Sequence, residues 1–238
     1  MSSDLPRRAV AEALGTAFLL AVVIGSGIMG ERLANGNIAI ALLANTLATG
    51  AGLVALILTF GSISGAHFNP VVSLADATRG GLAWREVPVY ILAQVVGAFF
   101  GVAVAHVMFG EPLFFASTHV RAGAPQIVSE FVATFGLLAT IWGSGRARPS
   151  AVPFAVGAYI TAAYWFTSST SFANPAVTLA RAASNTFAGI RPADALGFVV
   201  AQVLGAAAGT FTLAWLIPGL PKAAGRVVEP RHDGEDVI

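Results

Sequence analysis

Apolar and polar positions along this chain do not alternate with the short periods of a fold that shows one face to water. They separate into long apolar blocks, and six of these reach or approach the length of a bilayer crossing: residues 9–29, 38–60, 87–109, 126–142, 152–166 and 193–217. A hydrocarbon core about 30 Å thick takes about 20 helical residues. The pattern therefore predicts six transmembrane helices. The fifth block is the shortest, and its helix can start nearer Arg148. Two further segments, 69–78 and 174–183, read as helices of about ten residues, roughly 15 Å at 1.5 Å per residue, which is half a bilayer. After Leu216 the chain turns polar and ends in RHDGEDVI. Residues 218–238 are read as a disordered cytoplasmic tail, and 1–217 as one membrane domain. The opening MSSDLPRRAV runs straight into the first span without a small-residue cleavage site, so it is not read as a signal peptide.

The blocks repeat. Glu12, Thr16, Leu19-Leu20 and Gly25-Ser26-Gly27 recur as Glu130, Thr134, Leu137-Leu138 and Gly143-Ser144-Gly145, 118 residues later. HFNPVVSLA, starting at His67, recurs as FANPAVTLA, starting at Phe172, 105 residues later. QVVGAFFG, starting at Gln94, recurs as QVLGAAAG, starting at Gln202, 108 residues later. Three anchors in one order divide the domain into repeats at about 8–110 and 125–217. Each repeat holds an odd number of spans, so the second must cross the membrane upside down relative to the first. Inverted repeats build a shared site near the bilayer midplane. Gly97, Gly101, Gly205 and Gly209 fall at small-xxx-small spacing, which suits close helix packing.

Asn69-Pro70 and Asn174-Pro175 each read as a helix start. Asn is a favoured N-cap, and Pro suits the first helical position because its missing N–H has no intrahelical partner there. Extended backbone before such a start survives at membrane depth only when it is buried in protein or lines a watery cavity. Inversion brings the two helix N-termini together at the midplane, each with a partial positive charge. The cap uses the side-chain oxygen and leaves the amide NH₂ to donate into a pore. Such donors and dipole ends orient hydroxyls and repel cations.

Composition narrows the classes. Of 238 residues 56% are hydrophobic and 11% charged, against about 25% charged in soluble domains. The net charge of +1 leaves no nucleic-acid footprint, and the absence of cysteine excludes disulfides and thiolate metal sites. No catalytic pair, cofactor motif or metal-ligand spacing stands out; His67 has no second ligand at a suitable distance in sequence. With the N-terminus inside, nine Arg and Lys fall on the inner side. Only Arg32, Arg121, Arg181 and Arg191 fall outside, so the bias predicts both termini in the cytoplasm, in the inner membrane.

Two Asn-Pro-[Ala/Val] motifs on opposed half-helices, SGAHFNP, the Glu12/Glu130 pair and AQxxG in each half resemble the aquaporin and aquaglyceroporin family over essentially residues 8–217. The resemblance implies an all-α integral membrane fold of six helices and two re-entrant half-helices, a passive channel for water or small neutral solutes, and a homotetramer with one pore per subunit. It implies midplane donors at Asn69 and Asn174, a pore-lining or packing role for His67, and loop-supporting carboxylates at Glu12 and Glu130. The outer selectivity filter then falls on Thr49, Ser171, Val177 and a fifth-span residue. That residue is Tyr164 if aligned from VGAY, or Ala162 if counted back from Asn174.

Three positions depart from the family pattern. Val71 replaces Ala in the first motif. Val177 stands where most members carry the filter Arg, and Thr49 stands where an aromatic is usual. The expected filter is wider and less charged than a water filter. TSFANPAVTLARAASNTFAGI, with Val at that place, resembles the bacterial aquaglyceroporins encoded beside arsenic-resistance genes, which implies passage of arsenous acid and methylated arsenicals beside glycerol and water. Arg181, one turn beyond Val177, is expected to snorkel to the interface at a half-helix C-terminus; the competing reading makes it a substitute for the missing Arg. A water-selective pore and, further off, a secondary transporter are the alternatives. A transporter would need more ionisable groups at the midplane.

Overall fold

The computed structural model describes residues 4–217. Among the described residues are eight α-helices and no strand: α1 (Leu5–Leu33), α2 (Ile38–Ser64), α3 (Pro70–Thr78), α4 (Val87–Phe109), α5 (Ala124–Ala147), α6 (Val152–Phe166), α7 (Pro175–Arg181) and α8 (Pro192–Leu216). Six are the expected spans, and α3 and α7 are the half-helices. Five are long and apolar enough to cross a membrane by length and composition; α6, with 15 residues, falls short. A 3₁₀ turn, Pro149–Ala151, leads into α6, so helical backbone does resume just past Arg148. The expected tail, 218–238, lies outside the described residues.

Several ends differ from the expected ones. Helix α1 starts earlier because the Asp4 side chain accepts the Arg7 N–H and Pro sits in the first turn. Helix α2 continues to Ser64 and stops at Gly65, whose φ of 89° is left-handed. Helix α7 stops at Arg181, before the expected 183, because the chain turns there: the Ala183 and Ser184 N–H groups bond back to Ala180 and Arg181.

Burial is inverted relative to a water-soluble protein. Glu12, Thr16, Gln94, Glu130, Thr134 and Gln202 are fully buried, while Phe18, Phe100, Phe154, Phe211 and Trp215 stand exposed. Apolar side chains face the surroundings and polar ones gather inside, as a lipid solvent demands.

Packing follows the repeat. Helix α1 lies on α2 and α4, and α5 lies on α6 and α8 in the same way. Helices α2 and α6 join the halves, and each half-helix also packs on the last long helix of the other half, α3 on α8 and α7 on α4. The glycines set the closeness. A Cβ at Gly97 would run into the Ala13 carbonyl, and one at Gly101 into the Ala17 carbonyl. Gly205 and Gly209 meet the Phe131 and Phe135 carbonyls in the same manner. Backbone cannot yield as a side-chain tip can, so Gly97→Leu is expected to destabilise toward the upper end of the overpacking range, about 3 kcal/mol. A thermal midpoint in detergent that stays at the wild-type value would contradict this.

Candidate functional site

Both half-helices are preceded by an unusual loop. Ala66 and Phe68 have φ near +50°, as do Ser171 and Ala173, 105 residues later. For residues with a Cβ this left-handed backbone costs on the order of 1 kcal/mol each, so something must hold it. Two buried carboxylates do. Glu12 Oε1 accepts the His67 N–H at 2.9 Å and the Ser64 hydroxyl at 2.6 Å. Its Oε2 accepts the Phe68 N–H at 2.7 Å and Gln94 Nε2 at 2.8 Å. Glu130 accepts the Phe172 and Ala173 N–H groups, both at 2.8 Å, and Gln202 Nε2 at 2.6 Å. The two glutamines also reach the half-helices, donating to Ser73 Oγ at 2.9 Å and Thr178 Oγ1 at 2.8 Å. Their bridging role was not foreseen, although a polar residue at matching places in two apolar spans was the signal.

With their N–H groups held by the glutamates, the loops turn acceptors elsewhere. The carbonyls of residues 65–67 and 170–172 accept no hydrogen bond from any described residue, and these loops line one continuous cavity. Much of the remaining lining is apolar, among it Leu19, Val23, Leu53, Ile57, Leu137 and Val156. The cavity therefore combines a series of hydrogen-bonding groups with an oily lining.

The asparagines meet at its middle. Asn69 and Asn174 have nearly the same extended backbone, φ −154° and −159°. Asn69 Oδ1 caps α3 through the Val71 N–H, and Asn174 Oδ1 caps α7 through the Ala176 and Val177 N–H groups. Each amide nitrogen then crosses to the other loop: Asn69 Nδ2 donates to the Ala173 carbonyl and Asn174 Nδ2 to the Phe68 carbonyl, both at 2.8 Å. This corrects the expectation that the whole NH₂ is left for the pore. One N–H of each ties the halves together, and one is left. His67 lines the cavity while its ring is held by Ser73 Oγ at 3.0 Å, stands 3.6 Å from Asp76 Oδ2, and packs on Tyr90.

Toward the C-terminal end of α7 the cavity is lined by Thr49, Tyr164, Ser171 and Val177. The Tyr164 hydroxyl donates to Thr49 Oγ1 at 3.3 Å. Of the two fifth-span candidates, Tyr164 faces this cavity and Ala162 points outward, exposed. Arg181 departs from expectation. It does not snorkel: only 2% exposed, it lines the same cavity, with its guanidinium 3.3 Å from the Phe172 ring centre and Nε donating to the Ala188 carbonyl. A helical side chain leans toward its helix N-terminus, so Arg181 reaches back along α7 rather than away from it.

The comparisons with known proteins decide the family. The sequence model of the family described as Major intrinsic protein matches residues 1–168. Aquaglyceroporin AqpS of Rhizobium meliloti (strain 1021) is 56% identical over 214 residues, covering 90% of this chain and 91% of that protein. This chain belongs to the major intrinsic protein family. It is thus an integral membrane channel for passive flow of water and small neutral solutes, and not an enzyme. Among other major intrinsic proteins, Aquaporin NIP1-3 of Oryza sativa subsp. japonica is 30% identical over 222 residues, 88% of this chain and 73% of that protein. The fold agrees with the X-ray structure of the aquaglyceroporin from Plasmodium falciparum, with a TM-score of 0.66 at 20% identity over 90% of this chain and 95% of that one.

Proposed function

We propose that this major intrinsic protein conducts small uncharged hydroxylated solutes, glycerol-sized polyols and the neutral metalloid acid arsenous acid with its methylated relatives, together with water. The observation that carries this reading is the apolar Val177 lining the same cavity as the Thr49 and Tyr164 hydroxyls. A guanidinium at position 177 would fill that constriction with five fixed donors. Valine leaves width, and the two hydroxyls give a polyol something to exchange for water. Arsenous acid is uncharged at neutral pH, larger than water, and presents hydroxyls much as a polyol does. The likeness to an aquaglyceroporin supports the polyol range.

In this proposal Asn69, Asn174 and His67 line the middle of the pore, and Thr49, Tyr164, Ser171 and Val177 form the outer filter. Residues 1–217 act as one channel domain of the inner membrane. The excess of Arg and Lys on one side supports cytoplasmic termini, and membership of the family supports a homotetramer with a pore in each subunit.

Stopped-flow measurement on proteoliposomes tests the reading. Glycerol and arsenous acid are expected to cross at least about tenfold faster than in protein-free vesicles, a barrier lowered by 1.4 kcal/mol or more. Arsenous acid crossing no faster than through empty vesicles would remove the metalloid part. Water crossing alone would favour the water-selective alternative.

A further inference from the structure

The filter waist has lost its charge at Val177, yet a buried cation stands one turn away. Arg181 follows Val177 by four residues, which places both on one face of α7. Its side chain leans back along the helix and lines the pore cavity beside Val177 and Tyr164. It also lines the wider space at that mouth, with Arg121 and His119. Only Nε has a protein acceptor, the Ala188 carbonyl. Among the described residues neither terminal nitrogen donates to the protein, and no carboxylate forms an ion pair with Arg181.

Of its charged neighbours Arg121 adds to the field, while the buried Glu130 carboxylate, beyond Phe172 and already bonded to Phe172, Ala173 and Gln202, acts against it. The Arg121 guanidinium lies 5.1 Å from the same Phe172 ring, and it donates to the Gly189 and Ser169 carbonyls rather than to a carboxylate. Glu31 also borders this mouth but is exposed, where water screens it. Phe172 is pinned in turn, because its N–H is held by Glu130 and its ring edge meets Phe198. A guanidinium stacked on a fixed ring face is oriented, and its remaining donors are left for whatever passes.

We propose that Arg181 supplies, from the lip of the filter, the fixed positive charge that the waist lacks at position 177. The proposal rests on the channel reading above. Moving the charge outward by one turn separates two tasks that one filter Arg would combine. The waist stays wide and sets the size of solute admitted, while the lip repels cations before they reach it. In a weakly polar passage a unit charge acts over several ångströms; the Arg181 backbone stands about 6 Å, four residues of helix, beyond that of Val177, and the side chain leans back from there, which keeps the waist within its field.

The rival role for Arg181 is a latch that holds the chain after α7 through Ala188. Charge and latch are separable. Sodium and proton permeability of proteoliposomes would be measured for wild type, Arg181→Gln and Arg181→Lys, with glycerol flux read in the same vesicles. Arg181→Gln is expected to raise cation permeability at least about tenfold. Arg181→Lys, which keeps the charge and loses the planar fork, is expected to stay within about threefold of wild type. Adding Val177→Arg to Arg181→Gln is expected to restore exclusion. Cation permeability in Arg181→Gln equal to wild type would overturn the proposal, as would an equal leak in the Gln and Lys variants. Should Arg181→Gln fail to reconstitute, Val177→Glu is read against Val177→Gln. The acid sits four residues before Arg181, where it would neutralise the guanidinium and leave the latch in place, so unchanged cation flux between these two overturns the proposal as well. A wild type that passes no glycerol defeats the channel reading instead, and is recognised before any variant is compared.

Discussion

Replacing Val177 by Arg is expected to cut glycerol and arsenous acid permeation by at least about tenfold, while water flux falls by less than about threefold. Val177 is nearly buried and lines the cavity beside Tyr164, whose hydroxyl reaches Thr49. A guanidinium there brings five donors and the bulk of a planar fork into a space now bounded by methyl groups. Water is small enough to pass and is compensated by the new donors. A three-carbon polyol or a trihydroxy acid must shed more of its hydration than a narrowed ring returns. Arg181 adds to the effect, since two guanidiniums one turn apart repel each other and push the new one toward the lumen. Stopped-flow light scattering on matched vesicles reads all three permeants. Glycerol flux left unchanged would move the selecting constriction away from α7.

Glu130→Ala is expected to be the most damaging single change among the loop supports. It strips the acceptor from the Phe172 and Ala173 N–H groups and from Gln202 Nε2 at once. Each buried donor left without a partner costs about 1–3 kcal/mol, so three together cost roughly 3–9 kcal/mol. The damage spreads by contact. Ala173 offers its carbonyl to Asn69, and Phe172 carries the ring under Arg181. The Asn69 bond to Ala173 and the stacking of Arg181 on Phe172 lose their support together. We expect a thermal midpoint in detergent lowered by many degrees and solute flux near that of empty vesicles. Glu130→Gln keeps one acceptor but turns an NH₂ toward an N–H, and is expected to fall between. Wild-type stability and flux in Glu130→Ala would refute this account of the loop.

The architecture was legible because its signals are local or repeated. Block length set the spans, the Asn-Pro pairs set the starts of α3 and α7, and the 105-residue offset applies even to backbone dihedrals, with Ala66 and Phe68 matched by Ser171 and Ala173. The site was legible where composition forced a choice, as with two acids placed symmetrically in apolar spans. It was not legible where two outcomes share one sequence pattern. Ala162 and Tyr164 are two residues apart, about 200° around a helix, so only one could face the lumen, and no local feature said which. Arg181 at the end of a half-helix could turn to the interface or back along α7. The outcome depends on the Phe172 ring and the Ala188 carbonyl, which are brought there by the fold of the segment after α7. The crossing of each asparagine amide to the opposite loop is a long-range pairing that no spacing could announce.

That crossing has a thermodynamic consequence. Asn69 and Asn174 stitch each half to the backbone of the other. For the halves to rock against each other, both stitches and the caps they share would have to break together. A passage that cannot close on one side while opening on the other has no step to which an ion or ATP could be geared. Detailed balance then governs it. Inward and outward flow obey one permeability, the temperature dependence stays close to that of diffusion, and no solute can be raised above equilibrium. Any net clearance of a toxic solute through this protein must be driven by whatever sets that solute's gradient.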